Sequence, residues 1–291
     1  MNEPIPPGTE AIRLTDIRFR YRGAEELALD GVSLAVQQGE LLGIVGPSGA
    51  GKSTLALVMS GQIPAFVEGA FGGETLLFGR TTRGWRSADL AEIVGMVYQD
   101  PEAQLYGLTV EEELVLGLEN RCLPPEEIRE RVAWALDVTR LHDVLEKSPY
   151  ALSGGQKQRV VIAGVLALQP RILVLDEPTS ALDPRGKSGL YELLTTLARS
   201  GVTVVIVEHD IERLARHADR VCWLEDGRVA AIGPPEEVLG RPAESAAGVL
   251  RMPQVAQLAH RLDLAAPYPI TVERAAEVFG HRLRPGWVEG D

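Results

Sequence analysis

The segment Gly46-Pro47-Ser48-Gly49-Ala50-Gly51-Lys52-Ser53-Thr54 constrains this chain more than any other. It has the spacing G-x-x-x-x-G-K-[ST], directly after the apolar run Leu41–Val45 and directly before the helix-patterned run Leu55–Met59. Glycines at that spacing let backbone N–H groups turn inward around an anion. The following helix aims its positive end at the same point. Lys52 is placed to reach β- and γ-phosphates, and Ser53 to ligate Mg²⁺. A glycine-rich turn ahead of a helix is the competing reading, and the strand–loop–helix context argues against it.

Leu41–Val45, Ile93–Tyr98, Ile172–Leu175 and Val202–Val207 are short, continuous apolar runs, as expected of strands buried on both faces. Helical stretches separate them, which predicts an α/β fold with a mainly parallel sheet. Ahead of the loop, Ile12–Tyr21 alternates apolar and polar residues with a break at Thr15–Asp16, and Val32–Val36 repeats the pattern. These two runs predict a half-buried antiparallel β subdomain at the N-terminus. Val221–Leu224 and Arg228–Ile232 flank Glu225-Asp226-Gly227, a hairpin signal. From Gln99 to Leu168 the pattern is almost entirely helical, including a helix opened by Pro124-Pro125-Glu126-Glu127 with Ile128, Val132, Ala135 and Leu136 on one stripe. This region reads as a helical subdomain inserted in the sheet's connectivity, within a domain spanning 1–240. Arg241-Pro242-Ala243 reads as a linker to a short extension, 241–291.

Ile172–Leu175 runs into Asp176-Glu177-Pro178, a buried strand ending in two acids. Beside Lys52, Asp176 is placed to hold Mg²⁺ and Glu177 to act as general base toward water. Gln99 and His209 each follow a predicted strand. Alone, each reads as a hydrogen-bonded structural residue. Yet Gly46, Gln99, Asp176 and His209 all fall at carboxyl ends of buried strands, where open α/β sheets bind ligands. That shared edge supports one site, with Gln99 placing water or metal and His209 sensing the γ-phosphate.

Leu152-Ser153-Gly154-Gly155-Gln156 has capping-box spacing at a helix start. Two glycines in a first helical turn are costly unless backbone must come close to something, and bare glycine N–H groups beside a serine suit a phosphate. Asp183-Pro184 is an N-cap followed by proline at the first helical position. Tyr21 reads equally as an exposed strand aromatic or as an adenine-stacking platform.

Net charge −12 and pI near 5.0 disfavour a nucleic-acid surface, and none is expected as a partner. Cys122 and Cys222 are too few and too far apart for a disulfide framework or a metal site, which fits a reducing compartment. The first ten residues carry proline and acids rather than a basic then apolar segment, so they read as no signal peptide. The apolar runs are too short to cross a bilayer, so any membrane role is expected to pass through partners.

Read together, the loop Gly46–Thr54, Gln99, Leu152–Gln156, Ile172–Glu177, Ser180-Ala181-Leu182-Asp183 and His209 resemble, in order, the nucleotide-binding subunit of ABC transporters. The resemblance covers Ile12 to about Gly240. It implies that two such subunits sandwich ATP head to tail, joining one chain's Lys52 to the other's Ser153 and Gly155. It also favours Tyr21 as the adenine stacker and Asp183 as a communicator across that interface. Tyr98-Gln99-Asp100-Pro101-Glu102-Ala103-Gln104-Leu105-Tyr106, then Thr109-Val110-Glu111-Glu112-Glu113-Leu114, is similar to the energy-coupling-factor ATPases, as are Met252–Ala256, Leu262 and Pro269–Ala276. That subfamily usually carries Asn where Asp100 stands. Thr109 and Glu112 also have capping-box spacing, so a plain helix start accounts for part of the motif.

What this resemblance implies is an importer ATPase using ATP and Mg²⁺ at the cytoplasmic face of the membrane. Its partners would be a second ATPase (the same or related), a transmembrane coupling protein and a substrate-capture protein. Cargo would be a vitamin or cobalt and nickel ions. The rivals are a conventional ABC transporter subunit, a soluble ABC ATPase and a non-catalytic module. One phosphate loop without sustained heptads disfavours the second, and the intact site disfavours the third.

Overall fold

A computed structural model describes residues 9–240 and 252–280 of the 291-residue chain. The linker expected at Arg241-Pro242-Ala243 and the first eight residues lie outside the described residues.

The alternating N-terminal runs become β1 (Glu10–Tyr21) and β2 (Leu29–Gln37), paired antiparallel. The break expected at Thr15–Asp16 does not divide β1. It is a bulge: Asp16 has φ 49° and the register shifts there against both neighbouring strands. The extra residue moves the apolar phase from Ile12 and Leu14 to Ile17 and Phe19, and all four stay on the buried face.

Next come β3 (Leu41–Val45), α1 (Lys52–Met59), α2 (Gln62–Ala65), β4 (Gly69–Leu77) and β5 (Arg80–Thr81). The first sheet is ordered β2-β1-β4-β5, all antiparallel. Sequence patterning misses β4, because Gly69–Gly73 carries little apolar alternation. A ladder to β1 makes it a strand, and glycine at 69 leaves room for the Phe19 ring, which a Cβ would meet at 2.6 Å.

The second sheet takes in α3 (Ser87–Ala91), β6 (Val94–Val97), α4 (Val110–Asn120), α5 (Pro125–Thr139), α6 (Gly154–Ala167), β7 (Ile172–Asp176), α7 (Pro184–Arg199), β8 (Thr203–Val207), α8 (Ile211–His217), β9 (Arg220–Glu225), β10 (Arg228–Gly233) and α9 (Pro235–Leu239). Its order is β10-β9-β3-β8-β7-β6, parallel except for the β9–β10 hairpin. The helices α4, α5 and α6 stand where the helical insertion was expected.

Both faces of this sheet are covered. Leu42, Ile44, Val174 and Val205 join the core shared with α1 and the first sheet. Leu41, Leu173, Leu175, Val204 and Ile206 face the core built with α4 to α7. That double burial is why these strands read as unbroken apolar runs.

The tail supplies α10 (Gln254–Arg261) and α11 (Val272–Gly280). It packs back on the main body: Gln254 N–H donates to Glu212 at 2.7 Å, Tyr268 N–H donates to the Gly240 carbonyl at 2.7 Å, and Ile270 enters the larger core.

Glu40, at the turn into β3, is buried and accepts from Gln37 N–H at 2.7 Å and from Arg220 at 3.1 Å. Burial pushes its carboxyl up, and the Gln37 N–H and the Arg220 guanidinium oppose that. Arg220→Ala leaves this buried carboxylate with the Gln37 N–H but without its cation and is expected to cost about 1–3 kcal/mol. The measurement is a lower urea midpoint at unchanged slope.

Candidate active site

Four parallel strands end side by side in the order β3, β8, β7, β6. Gly46 follows β3, His209 lies just past β8, Asp176 ends β7 and Gln99 lies just past β6. The shared edge expected from sequence is therefore real. Gly51 is the N-cap of α1 at φ 96°, and a Cβ there would collide with the Ala28 carbonyl; at Gly46 it would strike the Leu224 carbonyl. Only glycine permits this path. Pro47, Ser48, Gly49 and Ala50 complete the turn into Gly51, and Lys52, Ser53 and Thr54 open the helix.

Lys52 is buried and its Nζ donates to the Gly46 carbonyl at 3.0 Å and the Pro47 carbonyl at 2.8 Å. The ammonium thus curls over its own loop, inside the ring that phosphate oxygens would fill. Burial pulls its pKa down, while the Glu177 and Asp176 carboxylates oppose the shift. Asp176 is 7 % exposed and its Oδ1 has no partner. Burial raises its carboxyl, and a hydrogen bond with Ser53 is the largest opposing influence. A buried, half-satisfied carboxylate beside a serine hydroxyl suits an octahedral Mg²⁺ that keeps several waters. No group of three or more His, Cys, Asp or Glu that could hold a metal ion is found among the described residues.

Glu177 occupies the left-handed region at φ 47°. Such strain at a non-glycine costs on the order of 1–3 kcal/mol and persists where surroundings over-determine it. Three contacts do so here. Its N–H donates to the Val207 carbonyl at 3.0 Å, its Oε2 accepts from Gln99 Nε2 at 2.8 Å, and its Oε1 lies 2.7 Å from His209 Nε2. The expected base is thus clasped between the two residues placed on the same edge.

Tyr21 is about one-third exposed, lies edge-on to Phe19, and its hydroxyl is 3.0 Å from Thr54 Oγ1. The ring is therefore held beside the phosphate loop rather than lying free on the surface.

Ser153 and Gln156 form the complete capping box: Gln156 N–H donates to Ser153 Oγ at 3.3 Å, and Ser153 N–H donates to Gln156 Oε1 at 3.0 Å. Asp183 caps α7 by accepting from Gly186 N–H at 2.6 Å. Ser153, Gly154, Gly155 and Asp183 line a cleft of about 760 Å³ between α6 and α7. No hydrogen bond or ion pair among the described residues joins them to Lys52, Asp176, Glu177 or His209. The expected site residues therefore fall into two groups with no hydrogen bond or ion pair between them.

Local steric need does not account for Gly154, where a Cβ would meet only Ala181 Cβ at 3.5 Å, whereas at Gly155 it would press on the Ala181 carbonyl at 3.3 Å and on Leu182 at 3.4 Å.

The Gln99–Leu114 segment departs from expectation in one detail. Thr109 caps Glu112 N–H at 3.2 Å, but the Glu112 carboxylate bonds Leu108 N–H at 2.9 Å rather than closing a box on Thr109. Glu113 accepts from both Tyr106 and Gly107 N–H at 2.7 Å. These acids brace the loop ahead of α4 instead. Asp100 accepts from Glu102 N–H at 2.9 Å and caps the 3₁₀ turn Pro101–Gln104. An Asn side chain caps in the same way, so the departure at 100 keeps the local geometry. Sequence reading passes over Glu208, an acid buried beside His209; its position at the very end of an apolar run was the available signal.

A lysine-bearing phosphate loop facing two carboxylates at the carboxyl edge of a parallel sheet defines a phosphate-loop nucleoside triphosphatase. A family model described as ABC transporter matches residues 29–180. The energy-coupling factor transporter ATP-binding protein EcfA of Methanothermobacter thermautotrophicus is 37 % identical over 273 residues, covering 94 % of this chain and 86 % of that protein. The structure of CbiO1 from Clostridium perfringens, described as part of the ABC transporter complex CbiONQ, superposes with TM-score 0.73 at 34 % identity over 87 % of this chain and 99 % of that one. The ATP-binding cassette MJ0796, a dimer bound to ADP and Pi, superposes with TM-score 0.69 at 31 % identity, covering 77 % and 98 %.

The chain belongs to the ABC transporter ATPase family, on its energy-coupling-factor branch, and it binds and hydrolyses ATP. No helix among the described residues is long and apolar enough to cross a membrane.

Proposed function

We propose that this chain is the ATPase subunit of an importer, coupling ATP hydrolysis to uptake of a vitamin or of cobalt or nickel ions through membrane-embedded partners. The observation that carries the reading is the division of the site: the loop Gly46–Thr54 with Asp176, Glu177 and His209 forms one half, Ser153–Gln156 with Asp183 the other. A second ATPase, this chain or a related one, placed head to tail would bring the halves together over ATP. The dimeric cassette bound to ADP and Pi is consistent with that arrangement.

In this reading Tyr21 stacks adenine, Lys52 holds the β- and γ-phosphates, and Gln99 and His209 orient Glu177 so that its carboxylate takes a proton from the attacking water. Ser53, Asp176 and Gln99 would hold Mg²⁺, which supplies charge neutralisation on the phosphates when bound. His209 senses the γ-phosphate through its contact with the base.

Tyr106 and Leu108, each more than 70 % exposed on the braced loop before α4, suit the docking of an apolar helix from a transmembrane coupling protein. The chain would then sit peripherally on the cytoplasmic face, beside a separate substrate-capture protein. Mass spectrometry of the intact complex purified from membranes tests this. Two ATPase chains with one coupling protein, one small capture protein and a retained cargo is the expected composition. A complex with permease subunits of another kind and no capture protein would assign it to a conventional ABC transporter.

The glycine pair yields a second test. Gly154→Ala meets no clash within the chain and raises helix propensity by up to about 1 kcal/mol. The melting temperature is therefore expected to hold or rise while ATP turnover falls. Unchanged turnover would show that nothing approaches that backbone.

A further inference from the structure

We infer that Glu208 is a positioning residue for hydrolysis, holding the loop that follows Glu177 and the backbone of His209 in one fixed register. The inference rests on the proposed role of Glu177 as base.

Glu208 follows β8 directly and is 4 % exposed. Its own N–H donates to the Ile44 carbonyl at 3.1 Å, extending the parallel ladder to within two residues of the phosphate loop. Its side chain bonds one other segment and turns back on the next residue of its own. Oε1 accepts from Thr179 N–H at 3.3 Å, and Oε2 accepts from His209 N–H at 3.1 Å. The Thr179 side chain adds a further hydrogen bond, and Thr179 itself is 1 % exposed. Burial pushes the Glu208 carboxyl up; these three hydrogen bonds and the Lys187 ammonium favour the ionised form.

The connections close a ring. The chain runs Glu177–Pro178–Thr179; Thr179 bonds the Glu208 carboxylate; the chain continues to His209; and His209 Nε2 returns to Glu177 Oε1 at 2.7 Å. Glu177 sits at φ 47°, a conformation that its surroundings must hold. Within the ring, the Glu208 side chain is the link between the loop after Glu177 and the backbone of His209. That side chain forms no hydrogen bond or ion pair with the loop Gly46–Thr54 or Asp176, so substitution of Glu208 is expected to act on turnover rather than on nucleotide affinity. The geometry assigns it to the alignment of base and switch.

Both carboxylate oxygens accept from backbone N–H groups. An amide of the same shape presents one oxygen and one NH₂, so one N–H then faces a donor and is left unsatisfied in a buried place. Glu208→Gln therefore tests alignment with little change in volume, and Glu208→Ala removes both contacts. Steady-state ATPase assays on wild type, both variants, Glu177→Gln, His209→Ala and the Glu208→Gln/His209→Ala double variant decide the matter, with activities normalised to folded protein by thermal melts.

The expected result for Glu208→Gln is a kcat at least tenfold down, with KM for Mg·ATP within twofold of wild type and nucleotide affinity preserved. In a His209→Ala background the same substitution is expected to change kcat by less than twofold, because the contact it aligns is already gone. An unchanged kcat per folded molecule, or an equal loss in the two backgrounds, would overturn the inference. If Glu208→Ala fails to fold, Glu208→Gln carries the test. If Glu177→Gln turns over normally, the base assignment fails instead; if that control is inactive while the Glu208 variants behave as wild type, this inference alone fails.

Discussion

Glu177→Gln is expected to lower ATP turnover by about 10²- to 10⁴-fold, the usual contribution of a positioned general base. Affinity for Mg·ATP is expected to stay near wild type, because the loop, Lys52 and Tyr21 are untouched. The amide keeps the size and one acceptor oxygen of the carboxylate, so its contacts with Gln99 and His209, now at 2.8 and 2.7 Å, can persist with one partner reoriented. What disappears is the proton acceptor. Nucleotide is then trapped between two subunits, and gel filtration with ATP should show a dimer that wild type does not accumulate. Turnover within about threefold of wild type would remove Glu177 from the base role, given the magnitude such bases normally supply.

A second large effect follows from the separation of the two half-sites. Lys52→Ala removes the phosphate-facing ammonium, and Gly155→Asp places a carboxylate where backbone N–H groups would meet phosphate. Either is expected to cut a site's turnover by about 10²-fold or more, the scale of losing one electrostatic contact to the transferring group. In mixed dimers purified through two different tags, arrangement then matters. With Lys52→Ala in one chain and Gly155→Asp in the other, one composite site carries both lesions and the other is intact. With both lesions in one chain, each site carries one. Activity is expected only in the first arrangement. Activity only in the second arrangement, where one chain stays intact, would mean that each chain completes its own site.

Much of the site was legible before any coordinates. The phosphate loop, the acidic strand end and the positions of Gln99 and His209 are local signals, each a residue type at a fixed distance from an apolar run. Such signals survive in sequence because strand, turn and helix start are set within a few residues. The N-terminal sheet was half legible: β1 and β2 alternate cleanly, whereas β4 owes its existence to β1. The bulge at Asp16 appeared as a break because a phase change looks the same whether the strand ends or kinks. At Glu112 the capping-box spacing was present but its carboxylate answered a nearer need, the free N–H of Leu108.

By itself the sequence determined the chemistry on offer: a loop only glycine can form, a lysine at its end, two acids in series, and a second glycine-bearing helix start at Ser153. Tertiary structure decided which of these groups meet. It joined Glu177 to Gln99 and His209 across three strands, left Ser153 and Asp183 without a bond to them, and set the buried Glu208 carboxylate against Thr179 and the His209 N–H. Residue types and spacing act over a few bonds, whereas these distances depend on strand order and on how both faces of the sheet are buried.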